Sequence, residues 1–403
     1  MYYRHLEQEI IRTSQTFPVL VVTGPRQVGK TTLLKKLSDE NRKYVTLDDP
    51  NERLLAKEDP KLFLERYSPP VLIDEIQYAP ELLPYIKIHV DINKKEGDFW
   101  LTGSQMFRLM ENVQESLAGR AGILRMFSFT NSEILTRDIG MIEFDKDKLL
   151  ARESTTAKQP LMEIFETIFR GGMPRLYENK MVDPKRYFES YLDTYISRDI
   201  RELKQVTDEL SFLKFVQVVA ARTATNVNYS DLANEVGIST PTAQKWLSLL
   251  ITSGIVVLIP PFFNNALKRV IKSPRMYFLD TGLCCHLLRI PNARTLEASN
   301  LDGQLFETWV VGELYKNYIN QGIEPPMYFY RDSNKKEIDV IIQSYDQVHL
   351  LEIKKSSAPR NAIKNFPVMK PIKTPIGLSG VLCLSEKLFP IDESHWMIPV
   401  WMI

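Results

Sequence analysis

The stretch VVTGPRQVGKTTLLKKL, residues 21–37, joins a short apolar run to a glycine-bounded loop and a helix-forming segment. Gly24 and Gly29 enclose four residues and are followed by Lys30 and Thr31, which fits G-x-x-x-x-G-K-[ST] at every fixed position. Glycines at these places let backbone N–H groups close around phosphates, and the following helix turns its positive end towards them. The stretch therefore predicts a strand, a phosphate-binding loop and a helix, the start of an α/β domain with a parallel sheet.

The loop predicts a site for ATP and Mg²⁺. Lys30 is expected to reach the β and γ phosphates, and Thr31 is expected to ligate Mg²⁺. The residues expected to surround the phosphates are Gly24, Pro25, Arg26, Gln27, Val28, Gly29, Lys30, Thr31 and Thr32. We therefore expect ATP and Mg²⁺ as cofactors.

A second apolar run ends in two acids. In PPVLIDEIQ, residues 69–77, Asp74 and Glu75 follow a run that predicts a buried strand. Asp74 is expected to hold the Mg²⁺ shell, and Glu75 is expected to orient or deprotonate the attacking water. A protein that only binds nucleotide has no need of Glu75, so the pair predicts ATP hydrolysis.

Two further segments offer residues that could act on the γ-phosphate. The run DFWLTGSQ, residues 98–105, predicts a strand that ends in polar side chains, and we assign Ser104 or Gln105 as the phosphate sensor. In ESLAGRAG, residues 115–122, Arg120 is assigned to transition-state charge, in its own subunit or in a neighbouring one. Action across subunits requires a homo-oligomer, and the alternative for Arg120 is an ordinary surface arginine.

The order of these segments carries a resemblance. Between the phosphate loop and the acidic strand lies another strand-like run, KYVTLDD, residues 43–49, and the polar-ended strand comes last. This order resembles the AAA-like branch of P-loop ATPases, in which an extra strand lies between the loop strand and the acidic strand. The resemblance implies an α/β ATPase core over residues 1–140, with a parallel sheet and nucleotide at its carboxyl edge.

Composition limits the other classes of protein. The chain has 403 residues, with 51 Lys and Arg against 50 Asp and Glu, so its net charge does not draw it to nucleic acid or to anionic membranes. The longest apolar run, residues 254–263, is far shorter than the roughly 20 residues of a spanning helix. Three cysteines do not form a disulfide framework, so we expect a cytoplasmic protein that does not enter membranes.

Beyond residue 140 the pattern becomes helical. Residues 161–177 and 184–203 carry apolar side chains at three- and four-residue spacing, with Gly171, Gly172 and Pro174 as a break. These helices resemble the helical lid that follows AAA-type cores, and we place it at residues 155–205. Arg198 and Asp199 either face the nucleotide there or pair on the helix surface.

Residues 206–285 resemble a winged helix-turn-helix. Residues 228–259 predict a helix, a turn at Gly237 and a second helix that is capped by Ser239 or Thr240 and ends near Gly254. Two strands follow, and their connection is expected to form a wing with four basic residues, Lys268, Arg269, Lys272 and Arg275. Such modules contact DNA or serve as protein–protein adaptors, and because the second helix is scarcely basic both interpretations stay open.

The last segment, residues 298–403, brings acids onto three elements. Glu307 lies in a helical run, Asp339 in a strand-like run, and Glu352 with Lys354 on one face of a further strand. Hard oxygen ligands of this kind suit a second Mg²⁺ or Mn²⁺. The set resembles the PD-(D/E)XK nuclease fold, which implies an α/β restriction-endonuclease-like domain. The alternative is a fold without catalysis, in which Glu352 and Lys354 form an ion pair.

Taken together, these motifs resemble one family of prokaryotic AAA-like ATP-binding proteins with a C-terminal domain of unknown function. The resemblance implies ATP binding and hydrolysis. Two hypotheses follow for the whole chain. In the first, ATP turnover is coupled to the processing of nucleic acid, with DNA bound by the winged helix and cut by the terminal domain. In the second, the chain is an ATP-gated switch that regulates DNA or a protein partner without cleavage.

Overall fold

The computed structural model describes residues 2–103, 116–194, 208–262, 273–332, 334–359, 361–369 and 374–403. The chain folds into two compact units. The first comprises Met1–Phe129, Thr252–Gly254 and Ile319–Ile323, and the second comprises Thr130–Ile251, Ile255–Tyr318 and Glu324–Ile403.

Within the described residues of the first unit, five strands form a parallel sheet in the order β2-β3-β4-β1-β5. The strands are β1 (Val19–Thr23), β2 (Lys43–Thr46), β3 (Val71–Asp74), β4 (Phe99–Gly103) and β5 (Ala121–Arg125). Strand β4 lies between the loop strand β1 and the acidic strand β3 in the sheet. The run at residues 43–46, which separates those two strands in the sequence, forms the edge strand β2.

The core of the first unit lies on both faces of this sheet. Strands β1, β3 and β4 are buried along their whole length, which explains why they are continuous apolar runs and not alternating patterns. The helices of this unit are α1 (Glu7–Ser14), α2 (Lys30–Leu37), α3 (Pro50–Glu58), α4 (Pro60–Arg66) and α5 (Leu82–Asn93). Asp49 and Asp59 cap α3 and α4, and each is followed by proline at the first helical position.

The second unit begins with helices: α6 (Asn131–Ile134), α7 (Lys146–Thr155), α8 (Leu161–Arg170), α9 (Arg175–Glu178), α10 (Pro184–Thr194), α11 (Glu209–Ala221), α12 (Tyr229–Val236) and α13 (Thr240–Thr252). The predicted break falls between α8 and α9, where Gly171 has a φ of +73°. The residues Arg198 and Asp199 lie outside the described residues.

Two helices joined by a turn, α12 and α13, and a three-stranded sheet occupy residues 225–278. Gly237 has a φ of +85° at the turn, and the amide of Thr242 donates to the Ser239 hydroxyl at 3.3 Å, which caps α13 as predicted. Strands β6 (Thr225–Asn226), β7 (Val256–Ile259) and β8 (Arg275–Phe278) form an antiparallel sheet in the order β6-β8-β7. The predicted wing residues Lys268, Arg269 and Lys272 lie outside the described part of the chain.

The rest of the second unit is built on a mixed sheet. Its helices are α14 (Thr281–Leu287), α15 (Ala293–Glu297) and α16 (Asp302–Ile319), and its strands are β9 (Met327–Arg331), β10 (Glu337–Gln343), β11 (Val348–Lys354), β12 (Ser379–Cys383), β13 (Phe389–Pro390) and β14 (His395–Pro399). Over the described residues the order is β13-β14-β12-β11-β10-β9. Strands β9, β10 and β11 are antiparallel, whereas β11, β12 and β14 are parallel.

In the described ranges, none of the helices combines the length and the apolar character that crossing a membrane requires.

Candidate active site

The loop at residues 24–29 has the backbone that its two glycines permit. Gly24 has a φ of +143°, and a Cβ at this position would overlap the carbonyl oxygen of Met126. Gly29 has a φ of +93° where α2 begins. Gln27, with a φ of +62°, also lies in the left-handed region, which is unusual for a residue with a side chain. The loop is therefore a tight turn pressed against the residue that follows β5.

Lys30 lies inside this loop. The residue is only 7% exposed, and its Nζ donates to the carbonyl oxygens of Gly24 at 2.9 Å and Pro25 at 2.8 Å. The ammonium group is thus held by two backbone carbonyls of the loop itself. Oxygen atoms of a bound phosphate have the charge and the geometry to replace these carbonyls as its partners.

Asp74 is the meeting point of three elements. Its Oδ1 accepts from the hydroxyls of Thr31 at 2.8 Å and Thr102 at 3.0 Å, and its Oδ2 accepts from the Tyr44 hydroxyl at 3.3 Å. Burial raises the pKa of Asp74 above its ordinary value, Glu75 acts in the same direction, and the three hydroxyl groups oppose the shift. The predicted pair Thr31 and Asp74 is therefore assembled, with Thr102 and Tyr44 as additions that the sequence motif does not include.

Glu75 directly follows β3 in a left-handed conformation, with φ 58° and ψ 46°. The side-chain amide of Gln77 donates to Glu75 Oε2, and Gln77 is only 7% exposed. A non-glycine residue in this conformation costs free energy and persists only where its surroundings hold it. Gln77 is thus a positioning residue for Glu75.

Arg4, which the motif does not include either, supports the phosphate loop. The guanidinium of Arg4, which is 4% exposed, donates to the carbonyl oxygens of Val28 at 2.9 Å and Phe127 at 2.7 Å. It also lies over the ring of Phe129 at 4.7 Å. Arg4 therefore ties the phosphate loop to the segment that leaves β5.

Of the three remaining predictions for this site, Ser104 and Gln105 lie outside the described residues. Arg120 is described, and its action on the phosphates, in its own or in a neighbouring subunit, stays a prediction. It precedes β5 at the amino edge of the sheet, beside the start of β1, whereas the loop follows the carboxyl end of β1. A five-residue strand separates the two edges by about 16 Å.

Arg120 has a different partner in this chain. Its guanidinium contacts both carboxylate oxygens of Asp91, at 2.6 and 3.0 Å, on a partly exposed surface. The Asp91 hydrogen bond raises the pKa of Arg120 and lowers that of Asp91. In this chain Arg120 therefore forms a surface ion pair, which is the alternative that the sequence left open.

The acids predicted in the terminal segment do converge. Lys354 Nζ lies 2.8 Å from Glu352 Oε2 and 3.2 Å from Asp339 Oδ2, and the backbone amide of Ile353 donates to Asp339 Oδ2 at 2.9 Å. Glu307 reaches the same place from α16. An open cavity of about 640 Å³ borders Glu352 and Lys354, and its lining includes Lys355, Ser356, Asn361, Lys364 and Asn365.

Arg275 belongs to this cluster, which corrects its prediction as a basic wing residue. It is 4% exposed, and its Nη1 lies 3.3 Å from Glu307 Oε1 and 3.8 Å from Asp339 Oδ1. Its Nη2 lies 3.3 Å from Glu337 Oε2. The hydroxyl of Tyr277, two residues further along β8, donates to Glu307 Oε1 at 2.8 Å.

Burial dominates the electrostatics of the cluster. It raises the pKa of Glu307 to about 7 and that of Glu352 to about 8, and in both cases Asp339 adds to the shift. Burial lowers the pKa of Lys354, but Asp339 and Glu352 outweigh it and raise the pKa overall. Near neutral pH the cluster therefore keeps a proton on part of its carboxylates while both bases stay charged.

The two sites differ in how well they fit a divalent cation. At the loop, the Thr31 hydroxyl and the Asp74 carboxylate are hard oxygen donors 2.8 Å apart, and they fit Mg²⁺. At the terminal cluster, carboxylate oxygens of Glu307 and Asp339 face Arg275, and the ammonium group of Lys354 contacts Glu352 Oε2. Among the described residues, no group of three or more His, Cys, Asp or Glu side chains is arranged to hold a metal ion. The cluster as folded does not fit a second metal ion.

Gln77 and Tyr277 were not predicted as site residues and the contacts of Arg275 were not predicted, although the sequence carried a signal for all three. Gln77 stands two positions after Glu75, and Arg275 and Tyr277 alternate with apolar residues on one strand, so that they share a face. Arg4, Tyr44 and Thr102 carry no motif, because their partners are distant in the sequence.

Three protein-family models match parts of the chain. Residues 16–135 match a family described as an AAA domain. Residues 162–294 and 302–403 match two domains of unknown function, DUF8612 and DUF4143. The AAA match ends shortly after β5 and covers the phosphate loop, Asp74 and Glu75.

Similar chains occur in mycobacteria. The uncharacterized proteins Rv2008c of Mycobacterium tuberculosis and Mb2031c of Mycobacterium bovis are each 28% identical to this chain over 384 residues, which cover 95% of this chain and 80% of theirs. Among solved structures, the Walker-type ATPase PABY2304 of Pyrococcus abyssi is 16% identical, with a TM-score of 0.42 over 70% of this chain and 94% of that one. A RuvB variant of Thermotoga maritima is 18% identical, with a TM-score of 0.28 over 66% and 91%.

TM-scores below 0.5 do not establish a common fold, so the assignment rests on the family match and on the site itself. The loop around Lys30, the bond between Thr31 and Asp74, and the strand order of the sheet agree with that match. Residues 16–135 therefore match an AAA domain and carry the P-loop that is typical of ATPases.

Proposed function

We propose that the chain hydrolyses ATP with Mg²⁺ in its AAA domain and uses the nucleotide state to switch its second unit. The observation that carries the first step is the meeting of Thr31, Asp74 and Thr102 next to Glu75. A site that only bound nucleotide would not require a carboxylate held beside the Mg²⁺ ligands by Gln77.

Each residue has a separate task in this proposal. Lys30 leaves its two backbone carbonyls and binds phosphate oxygens, and the loop amides bind the others. Thr31 and Asp74 hold Mg²⁺, which when bound neutralises charge that develops on the phosphates. Glu75 accepts the proton of the attacking water or orients that water, while Gln77 keeps the carboxylate in place.

Two substitutions test the proposal. Lys30→Ala is expected to abolish ATP binding, whereas Glu75→Gln is expected to preserve binding and lower turnover by about 10²–10⁴-fold. Binding is measured by titration of a fluorescent ATP analogue, and turnover by phosphate release. Hydrolysis at the parent rate by Glu75→Gln would show that Glu75 is not the base.

The second step concerns the helix-turn-helix, which we propose as a winged helix whose contact with DNA depends on the bound nucleotide. The outward face of α13 carries Gln244, Lys245 and Ser248, which are exposed. This face is polar with one charge, so nonspecific affinity for phosphates is expected to be weak. DNA binding that changes between ATP and ADP and falls in Lys245→Ala supports this step. Absence of DNA binding in every nucleotide state points to a protein partner.

Cleavage of nucleic acid is the second candidate function. It is favoured by the convergence of Asp339, Glu352 and Lys354 beside a cavity that Lys355 and Lys364 line. The test is digestion of plasmid, single-stranded DNA and RNA in Mg²⁺ or Mn²⁺, with and without ATP, by the parent and by Asp339→Ala. Cutting that disappears in the variant supports a nuclease. No cutting by a preparation that hydrolyses ATP leaves the switch as the function of the chain.

A further inference from the structure

Arg275 occupies the place in the terminal cluster where a cation between the acids would lie. Its Nη1 is 3.3 Å from Glu307 on α16 and 3.8 Å from Asp339 on β10, so one nitrogen faces the helix acid and the strand acid together. Its other terminal nitrogen lies 3.3 Å from Glu337. Its Cζ also lies over the ring of Phe329, 4.8 Å from the ring centroid.

The charges of the other residues in the cluster balance the charge of Arg275. Ion pairs connect four acids with three bases; the acids are Glu307, Glu337, Asp339 and Glu352, and the bases are Arg275, Arg331 and Lys354. With one proton held by the acids, the charges of this network cancel. A divalent ion added to the same set would leave an excess of positive charge in a buried place, which is unfavourable.

Arg275 comes from outside the terminal segment, residues 298–403. Arg275 begins β8, which pairs with β6 and β7 in the three-stranded sheet, whereas the four acids belong to α16, β10 and β11. Arg275 opposes Ile259 on β7 and Asn226 on β6. The side chain is therefore carried by one sheet and inserted among the carboxylates of another.

We propose that Arg275 is the resident cation of this carboxylate cluster and that it excludes divalent metal ions from the cluster. Any metal-dependent activity of the cluster then requires β8 to withdraw Arg275. The inference does not depend on ATP hydrolysis, because every residue that carries it lies in the second unit.

Removal of the guanidinium exposes a set of ligands that suits a hard cation. Glu307 Oε1 and Asp339 Oδ1 would lose the guanidinium that faces both of them, and Glu352 Oε1 is already buried without a hydrogen-bond partner among the described residues. Carboxylate oxygens on a helix and on two strands are the ligands that Mg²⁺ and Mn²⁺ prefer. Loss of Arg275 is therefore expected to create metal affinity, which is the opposite of the usual effect of deleting a site residue.

The experiment measures Mn²⁺ binding to the full chain without nucleotide, by the electron paramagnetic resonance signal of free Mn²⁺. The variants are Arg275→Gln, Asp339→Asn, the double variant Arg275→Gln with Asp339→Asn, and the control Arg331→Gln. Arg331 pairs with Glu337 at 3.0 Å but is 42% exposed, so its loss removes one charge of the same network without opening the space between Glu307 and Asp339. The AAA domain is identical in all of these proteins and cancels from the comparison.

The expected result is that Arg275→Gln binds one additional Mn²⁺ at least tenfold more tightly than the parent, and that Asp339→Asn removes this gain. Arg331→Gln is expected to behave like the parent. The proposal is overturned if a folded Arg275→Gln gains no Mn²⁺, or if the parent already binds an ion that Asp339→Asn abolishes. If Arg275→Gln does not fold, the double variant Arg275→Gln with Glu337→Gln takes its place, because it removes both members of one ion pair. A gain of Mn²⁺ binding by this variant supports the proposal, and no gain overturns it.

Discussion

Thr31 and Asp74 are joined by a hydrogen bond of 2.8 Å between the first turn of α2 and the end of β3, although 43 residues separate them in the sequence. Thr102 lies 3.0 Å from the same carboxylate oxygen and comes from β4, which lies between β1 and β3 in the sheet. The order of strands in the sheet thus brings the phosphate loop and the acidic strand together at one edge.

Two substitutions of Thr31 separate the contribution of its hydroxyl group from that of the rest of the side chain. Thr31→Ala removes the donor to Asp74 and the expected Mg²⁺ ligand, so Mg²⁺-dependent turnover should fall by about 100-fold or more. Thr31→Ser keeps the hydroxyl and should stay close to the parent. Phosphate release is measured over a range of Mg²⁺ concentrations. Equal activity of both variants would contradict the assignment of Thr31 as a ligand.

Gln77 offers a test of positioning. Gln77→Leu removes the amide that donates to Glu75 and keeps the size of the side chain, so we expect kcat to fall by about tenfold while the KM for ATP stays unchanged. In the background of Glu75→Gln, the same change should cause little further loss, because the two residues act as a unit. Full and independent losses in the double variant would mean that Gln77 acts elsewhere.

Arg4 stabilises the phosphate loop through two buried backbone carbonyls. Arg4→Gln cannot satisfy both, so the free energy of unfolding of the first unit should decrease by about 2 kcal/mol, and ATP affinity should decrease with it. Arg12→Gln is the matched control, since Arg12 is exposed and its ion pair with Glu9 lies on the surface of α1. The measurements are thermal unfolding and nucleotide titration. Parent-like behaviour of Arg4→Gln in both would refute this role.

The raised pKa of Glu352 predicts how the free energy of unfolding depends on pH. Burial raises its pKa from the ordinary 4.5 to about 8, so the folded chain keeps a proton that the unfolded chain has released. The contribution of Glu352 to stability is therefore fully present below pH 4.5 and decreases as the pH rises towards 8, with a slope of at most about 1.4 kcal/mol per pH unit.

The comparison of parent and Glu352→Gln checks this dependence. The free energy of unfolding is measured in denaturant between about pH 5 and pH 8.5. The variant carries no titrating group at this position, so its slope should be smaller than that of the parent. Parallel slopes for the two proteins would contradict the expected protonation of Glu352.

Several features of the fold could be predicted because they depend on neighbours in the sequence. The strand, loop and helix at residues 19–37, the break at Gly171 and the turn at Gly237 with its Ser239 cap follow from local backbone requirements. The convergence of Asp339, Glu352 and Lys354 could be predicted from the alternation of side chains along strands.

The positions of the two arginines could not be predicted in this way. Arg120 lies beside a glycine and looks available to a phosphate, yet β5 places it at the amino edge of the sheet with Asp91. Arg275 lies near three other basic residues in the sequence, yet it is buried among acids. In both cases the partner is a carboxylate that the sequence places 29 to 64 residues away.

The sequence by itself determined the chemistry of the phosphate loop, since the glycines, Lys30 and Thr31 act through the backbone that they form together. It also determined that Asp74 and Glu75 end a buried strand. Only the tertiary structure decided which groups hold these residues in place, among them Arg4, Gln77 and Thr102, and only it placed Arg275 among Glu307, Glu337 and Asp339. The physical reason is that conformational preferences act over a few residues, whereas ion pairs and hydrogen bonds join whichever groups the folded sheets bring within about 3 Å.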